Sequence, residues 1–280
     1  MHAVITPQIL LMSSLLASVI WTLPTAVRVN SSSMRSMHLF SGGFGQKKAD
    51  SGVANPLQVI YDSLVSITDV EESMRLSKEC PSIRACLEAM NTVKLSDLGL
   101  DEAYVLNAKD SVCMNIVNSA EFDIQVFVIP KGKQLPLHDH PNMAVLSKVI
   151  SGTLNVRSFS PTKPGIGGDS SAGSASLILS ATRTPTDSSW MLTPSEGNVH
   201  ELKAEGTTIV LDVLMPPYLI PDRPCHFYRS VESEGNWALE SVPDPPNRSL
   251  PNTVPFRGQK PVLREVKWGS MFRRSSPARK

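Results

Sequence analysis

The run Gly132-Lys133-Gln134-Leu135-Pro136-Leu137-His138-Asp139-His140, followed by the apolar stretch Val145 to Ile150 and then Gly152, decides how this chain is read. On an extended strand residues two apart share a face, so His138 and His140 project together while Asp139 projects away. The glycines at either end mark turns, which frames a strand bearing two imidazoles and a second, apolar strand behind it. A third imidazole, His200, follows in Gly197-Asn198-Val199-His200. Three neutral nitrogen ligands with open positions beside them suit a divalent first-row metal.

Outward from that strand the hydrophobic period stays at two. Ile124, Val126 and Val128 alternate with Asp123, Gln125 and Phe127, and similar short runs recur at 145–150, 154–159, 177–179 and 207–214. Many short strands broken by Gly and Pro predict a mainly β fold, a barrel or double-sheet jelly roll. Upstream the period changes. Asn55-Pro56 offers an N-cap and a proline for the first turn, and Leu57, Ile60, Leu64 and Ile67 then recur at helical spacing. Ile83, Cys86, Leu87 and Met90 repeat the pattern after Pro81-Ser82, so two amino-terminal helices are expected to pack on the sheet.

The remaining segments set the domain limits. Residues 1–33 carry an apolar run, Ile9 to Trp21, with no basic residue before it. They read as a signal peptide, transit peptide or membrane anchor, or as an extension the fold does not need. Residues 34–54 read as a linker, 55–256 as the folded domain, 161–189 as a flexible insertion rich in Pro, Gly, Ser and Thr, and 257–280 as a solvated basic tail. Lys+Arg 27 against Asp+Glu 26 leaves a formal net charge of +1, which gives no reason to expect nucleic acid as a partner. Cys80, Cys86, Cys113 and Cys225 lack Cys-x-x-Cys spacing, so free thiols in a reducing compartment, the cytoplasm, are expected.

Three separated motifs then carry a resemblance. Phe127-Val128-Ile129-Pro130 leading to Leu135-Pro136-Leu137-His138-Asp139-His140-Pro141-Asn142-Met143, Gly197-Asn198-Val199-His200, and Leu211-Asp212-Val213-Leu214-Met215-Pro216-Pro217-Tyr218 occur in that order. They resemble the cysteamine dioxygenase and plant cysteine oxidase family of thiol dioxygenases, in the cupin superfamily. Val93 to Leu100 resembles the segment that joins that family's helices to its barrel. The glutamate that many cupins carry after the second histidine is absent here, where Ala144 and Val145 stand.

The resemblance implies a cupin-like double-stranded β-barrel and a non-haem Fe(II) held by His138, His140 and His200. It implies addition of both atoms of dioxygen to a thiol, giving a sulfinic acid, with Asp212 and Tyr218 beside the metal. The implied substrates are cysteamine, cysteine or a protein with an amino-terminal cysteine, acted on by a monomer. No arginine stands beside the histidine motifs to clamp a free carboxylate, which favours cysteamine or a peptide amino terminus. One departure is plain: some members carry a Cys-x-Tyr able to form a thioether, whereas this chain has Cys225-His226-Phe227-Tyr228. Phe227 has no hydroxyl and Tyr228, adjacent on a strand, points the other way. His226 is read as exposed or behind the ligands and not as a fourth ligand. The alternative function is a metal-binding cupin without turnover.

Overall fold

Asn55 opens the first helix, α1 (Pro56–Val65), because its side-chain oxygen accepts the Leu57 N–H at 3.0 Å and Pro56 occupies a turn whose N–H would have no partner anyway. Leu57, Ile60, Tyr61 and Leu64 fall on one face and are buried. A 3-10 turn over Ser66–Asp69 continues it, and α2 (Pro81–Met90) again starts on proline and buries Ile83, Cys86, Ala89 and Met90. A third helix, α3 (Glu102–Asn107), is capped by Asp101 accepting the Tyr104 N–H at 2.7 Å. It buries no side chain, so no apolar period announces it in the sequence. These elements belong to a computed structural model that describes residues 55–70, 74–162, 173–245 and 250–264. The expected leader 1–33 and linker 34–54 lie outside the described residues.

The strands are β1 (Val112–Asn118), β2 (Asp123–Ile129), β3 (Gln134–Asp139), β4 (Ala144–Ser151), β5 (Leu154–Pro161), β6 (Gly173–Arg183), β7 (Trp190–Leu192), β8 (Val199–Ala204), β9 (Thr208–Met215), β10 (Phe227–Ser233), β11 (Asn236–Val242) and β12 (Asn252–Val254). One sheet runs β12-β1-β2-β9-β4-β7, and the other six strands close in the order β10-β11-β6-β5-β8-β3. Closure rests on a single ladder pair, Phe227 with His138. This is the mainly β, cupin-like jelly roll with helices packed on it.

Side-chain alternation sorts the core into layers. Ile129, Val149 and Val210 from the first sheet meet Leu135, Leu154, Val156, Leu202 and Ala204 from the second, which makes the layer between the sheets. The opposite face of the first sheet, through Ile124, Val126, Leu146, Leu211 and Val213, packs on α1 and α2. Leu137, Phe159, Ala175, Val199, Tyr228 and Leu239, one from each strand of the closed set, fill that set's own interior. Burying each such side chain stabilises the fold by about 1.5–3 kcal/mol. The turn after β4 requires glycine: Gly152 has φ +89°, and a Cβ there would stand 2.3 Å from the Thr207 carbonyl oxygen.

Two expectations change. The insertion at 161–189 is not a loop throughout, because 173–183 form β6, an eleven-residue strand paired with β5 and β11. Its serines and threonines sit at exposed alternate positions, so composition hides a period of two. The turn behind it is pinned where the Lys148 ammonium donates to the carbonyls of Pro185 (2.6 Å) and Asp187 (2.5 Å). Residues 163–172 lie outside the described residues. The basic tail likewise begins later than 257. Arg257 lies 4.6 Å over the Tyr104 ring, Val262 exchanges two hydrogen bonds with the Gln58 amide, and Arg264 pairs with Asp62, so 257–264 are strapped across α1 and α3. Polar side chains meeting backbone give no hydrophobic signal, which is why composition alone reads this strap as solvated.

One half-buried acid sets a pH dependence. Burial pushes the Asp123 carboxyl, at the start of β2, up to about 7, the Ser119 N–H offsetting part of the rise. An unfolded aspartate titrates near ~3.9. A folded value above the unfolded one means that stability from this group is complete below about pH 4 and is lost as pH rises through 7. Asp123→Asn is therefore expected to stabilise the protein by about 1 kcal/mol or more at pH 8 and to be near neutral at pH 4. Urea unfolding at both pH values tests this, and an equal effect at the two would exclude Asp123 as the cause.

Candidate metal centre

His138 stands near the end of β3 and His140 just past it, and β8 runs antiparallel beside β3 with His200 in register opposite His138. His200 shares its face with Leu202 and Ala204, so it projects into the layer between the sheets. The three rings meet there, with centroids 4.7–4.8 Å apart pairwise, and their ligand nitrogens all lie within 4.8 Å of one another. His140 and His200 are buried and His138 is partly exposed.

The hydrogen bonds decide which nitrogen faces the centre. The His138 Nδ1 lies 2.7 Å from the Pro136 carbonyl, which only accepts, so Nδ1 carries the proton and Nε2 its lone pair. The Tyr218 hydroxyl donates its one proton to the Asp139 carbonyl at 2.6 Å and therefore accepts from His140 Nδ1 at 2.8 Å, which again leaves Nε2 with a lone pair. The His140 and His200 Nε2 atoms stand 3.0 Å apart. Two ligands about 2.1 Å from one ion and at right angles would be about 3 Å apart, so the spacing fits a metal. His200 Nδ1 is buried without a hydrogen-bond partner among the described residues.

Burial lowers the basicity of all three rings. His138 is held below the usual histidine range, with the Pro136 carbonyl and Asp139 acting against the shift, while His140 and His200 are pushed well below it by burial and then by their neighbouring imidazoles. The site is a cluster of neutral imidazoles with two lone pairs aimed inward, the form in which histidine binds metal. The residues present fit a divalent cation.

Around the rings, Asn198 fixes the turn that follows β3. Its amide accepts the His140 N–H at 3.2 Å and donates to the His140 carbonyl at 2.7 Å. Phe227 stacks obliquely on His138 with centroids 6.2 Å apart, and Tyr218 stacks on His140 at 5.3 Å. Tyr228 points away from the centre and donates to the Asp139 carboxylate at 2.9 Å, as its strand position predicts. His226 also meets Asp139, with Nδ1 3.0 Å from the carboxylate, and is no part of the three-ring cluster. Asn198 and Phe227 carry no spacing signal; only the Gly197-Asn198-Val199-His200 motif draws attention to the first.

Asp212 faces the same interlayer as Val210, on the sheet opposite the histidines, and is buried. Burial pushes its carboxyl up to about 7, the Ser147 hydroxyl opposing, and its Oδ1 has no hydrogen-bond partner among the described residues. An acceptor of this kind is open to a donor brought by a ligand. The Tyr218 hydroxyl is held well above the usual tyrosine range, by burial first and then by Cys225, so it remains a neutral donor.

In sequence the chain is similar to several known proteins. The PCO_ADO family model matches residues 88–253. Plant cysteine oxidase 2 of Arabidopsis thaliana is 27% identical over 65% of this chain and 69% of its own length. Plant cysteine oxidase 1 of the same plant is 36% identical over 39% of this chain and 38% of its own length. Human 2-aminoethanethiol dioxygenase is 31% identical over 42% of the chain and 52% of its own length. The chain thus spans from over a third to about two thirds of these relatives. Among solved structures, a protein with a double-stranded β-helix domain from Klebsiella pneumoniae is similar over 43% of this chain and 81% of its own, at 16% identity and a TM-score of 0.31.

Proposed function

This chain belongs to the PCO_ADO family, and we propose that it is an iron(II)-dependent thiol dioxygenase, converting a thiol RSH and O2 to the sulfinic acid RSO2H, with His138, His140 and His200 as the ligands. The observation that carries the reading is the pair of fixed tautomers: the Pro136 carbonyl and the Tyr218 hydroxyl hold two Nε2 lone pairs towards the third ring. Three neutral ligands leave the cation its full charge, and iron(II) bound there supplies open positions for sulfur and dioxygen and acidifies the thiol.

The chain's own residues do the rest. The layer beneath the histidines is aliphatic, which excludes water from the reacting sulfur. Asp212, with its free oxygen, accepts the substrate's ammonium. Tyr218 holds His140 in place and presents a neutral hydroxyl beside the pocket. Neighbouring arginines are already engaged, Arg157 with Glu201 and Arg223 with the Pro217 carbonyl, so neither is free to clamp a carboxylate. That supports cysteamine or the amino-terminal cysteine of a protein over free cysteine. One chain carries all three imidazoles, so the site needs no second copy and a monomer suffices, and the free cysteines support a reducing compartment such as the cytoplasm.

The test is anaerobic reconstitution with iron(II), admission of oxygen, and mass spectrometry of cysteamine, free cysteine and a peptide with an amino-terminal cysteine. Cysteamine or the peptide should gain two oxygen atoms, with free cysteine slower. Retained metal with no oxidation of any of the three would overturn the catalytic reading and leave a metal-binding cupin.

A further inference from the structure

Asp139 stands between two of the three clustered histidines and faces away from them, yet only 2% of it is exposed. A buried carboxylate is retained where donors surround it. Here the donors all come from β10, the strand that closes the barrel, and from His226 just before it. The His226 backbone N–H donates to Oδ1 at 2.7 Å, and Oδ2 lies 3.0 Å from His226 Nδ1 and 2.9 Å from the Tyr228 hydroxyl. The Asp139 N–H donates in turn to the His226 carbonyl at 3.1 Å. Ladder pairing between β3 and β10 is limited to Phe227 with His138, so the side chain of Asp139 takes over fastening where the ladder stops. The same residue's carbonyl accepts from Tyr218, the group that fixes the His140 tautomer.

We propose that Asp139, His226 and Tyr228 form a clasp behind β3 that positions His138 and His140, so that the strength of metal binding is set in part from the face opposite the ligands. Asp139 is then a positioning residue, and the proposal rests on the three-histidine reading above. Without the carboxylate the end of β3 loses its attachment to β10, the Asp139 carbonyl shifts from the Tyr218 hydroxyl, and His140 loses its orientation. Tyr228 contributes through its hydroxyl, since its ring already packs among Leu137, Phe159 and Val199.

Cobalt(II) binding to the metal-free full chain tests this, read by its electronic spectrum and by competition with a chelator. The probe reports affinity and ligand geometry without turnover. Asp139→Ala should weaken binding by about tenfold or more and alter the spectrum, in the range known for loss of groups that orient metal ligands. Asp139→Asn keeps an acceptor for the His226 N–H and should recover part of the affinity. Tyr228→Phe keeps the packed ring and covers the case in which the alanine variant does not fold; it should weaken binding several-fold with a small change in melting temperature. Wild-type affinity and spectrum in folded Asp139→Asn and Tyr228→Phe proteins would overturn the clasp. A wild-type chain that bound no cobalt would instead overturn the three-histidine reading itself, and the clasp with it.

Discussion

His200→Ala should abolish metal retention and sulfinic acid formation together, and it is the substitution with the largest expected effect. Loss of a group that merely orients a ligand costs about 10–100-fold in affinity, so loss of a ligand should cost more. The effect should be local, since His200 lies at the end of the interlayer and its strand neighbours Leu202 and Ala204 keep their packing. His200→Gln, which fills more of the vacated space, separates ligand loss from cavity formation and should be equally inactive. Metal content and oxygen uptake measured on one preparation provide the check. Full metal occupancy in the alanine protein would remove His200 from the ligand set, leaving His138 and His140 as a pair too poor in ligands for the proposed chemistry.

The second large effect is expected at Asp212. A charge-assisted contact to a substrate ammonium contributes about 1.5–3 kcal/mol, so Asp212→Asn should lower turnover on cysteamine about tenfold or more while the metal stays bound. The alternative role, a buried acid that only shapes the strand, predicts a different outcome. Its carboxyl is pushed up to about 7 by burial, so an amide in its place removes an ionisable group from the interior and should stabilise the protein above that pH. Turnover per bound metal distinguishes the two: an unchanged value in Asp212→Asn would exclude the residue from substrate recognition, whatever happened to stability.

Much of this could be read along the chain. The prolines and the spacing of apolar residues located α1 and α2, because a helix start and an amphipathic face are local properties. Alternation at Ile124, Val126 and Val128 and the glycine-framed histidine pair located two of the central strands and two imidazoles of the cluster. Elements without a local apolar signature were hidden. Serine and threonine on the exposed face masked β6, α3 fully buries no side chain, and the strap at 257–264 is held by polar contacts to residues some two hundred positions earlier.

The sequence by itself singled out His138, His140 and His200 among six histidines and determined that the first two share a strand face. It also determined that the surrounding segments alternate as a jelly roll must, because side-chain period is written residue by residue. Tertiary structure alone decided that His200 lies beside His140, which nitrogens face inward, and that Asp139 is bound by His226 and Tyr228 across the seam of the barrel. Those facts depend on register between distant strands and on closure through one ladder pair. Register is set by how whole faces pack against each other, and no window of sequence contains both partners.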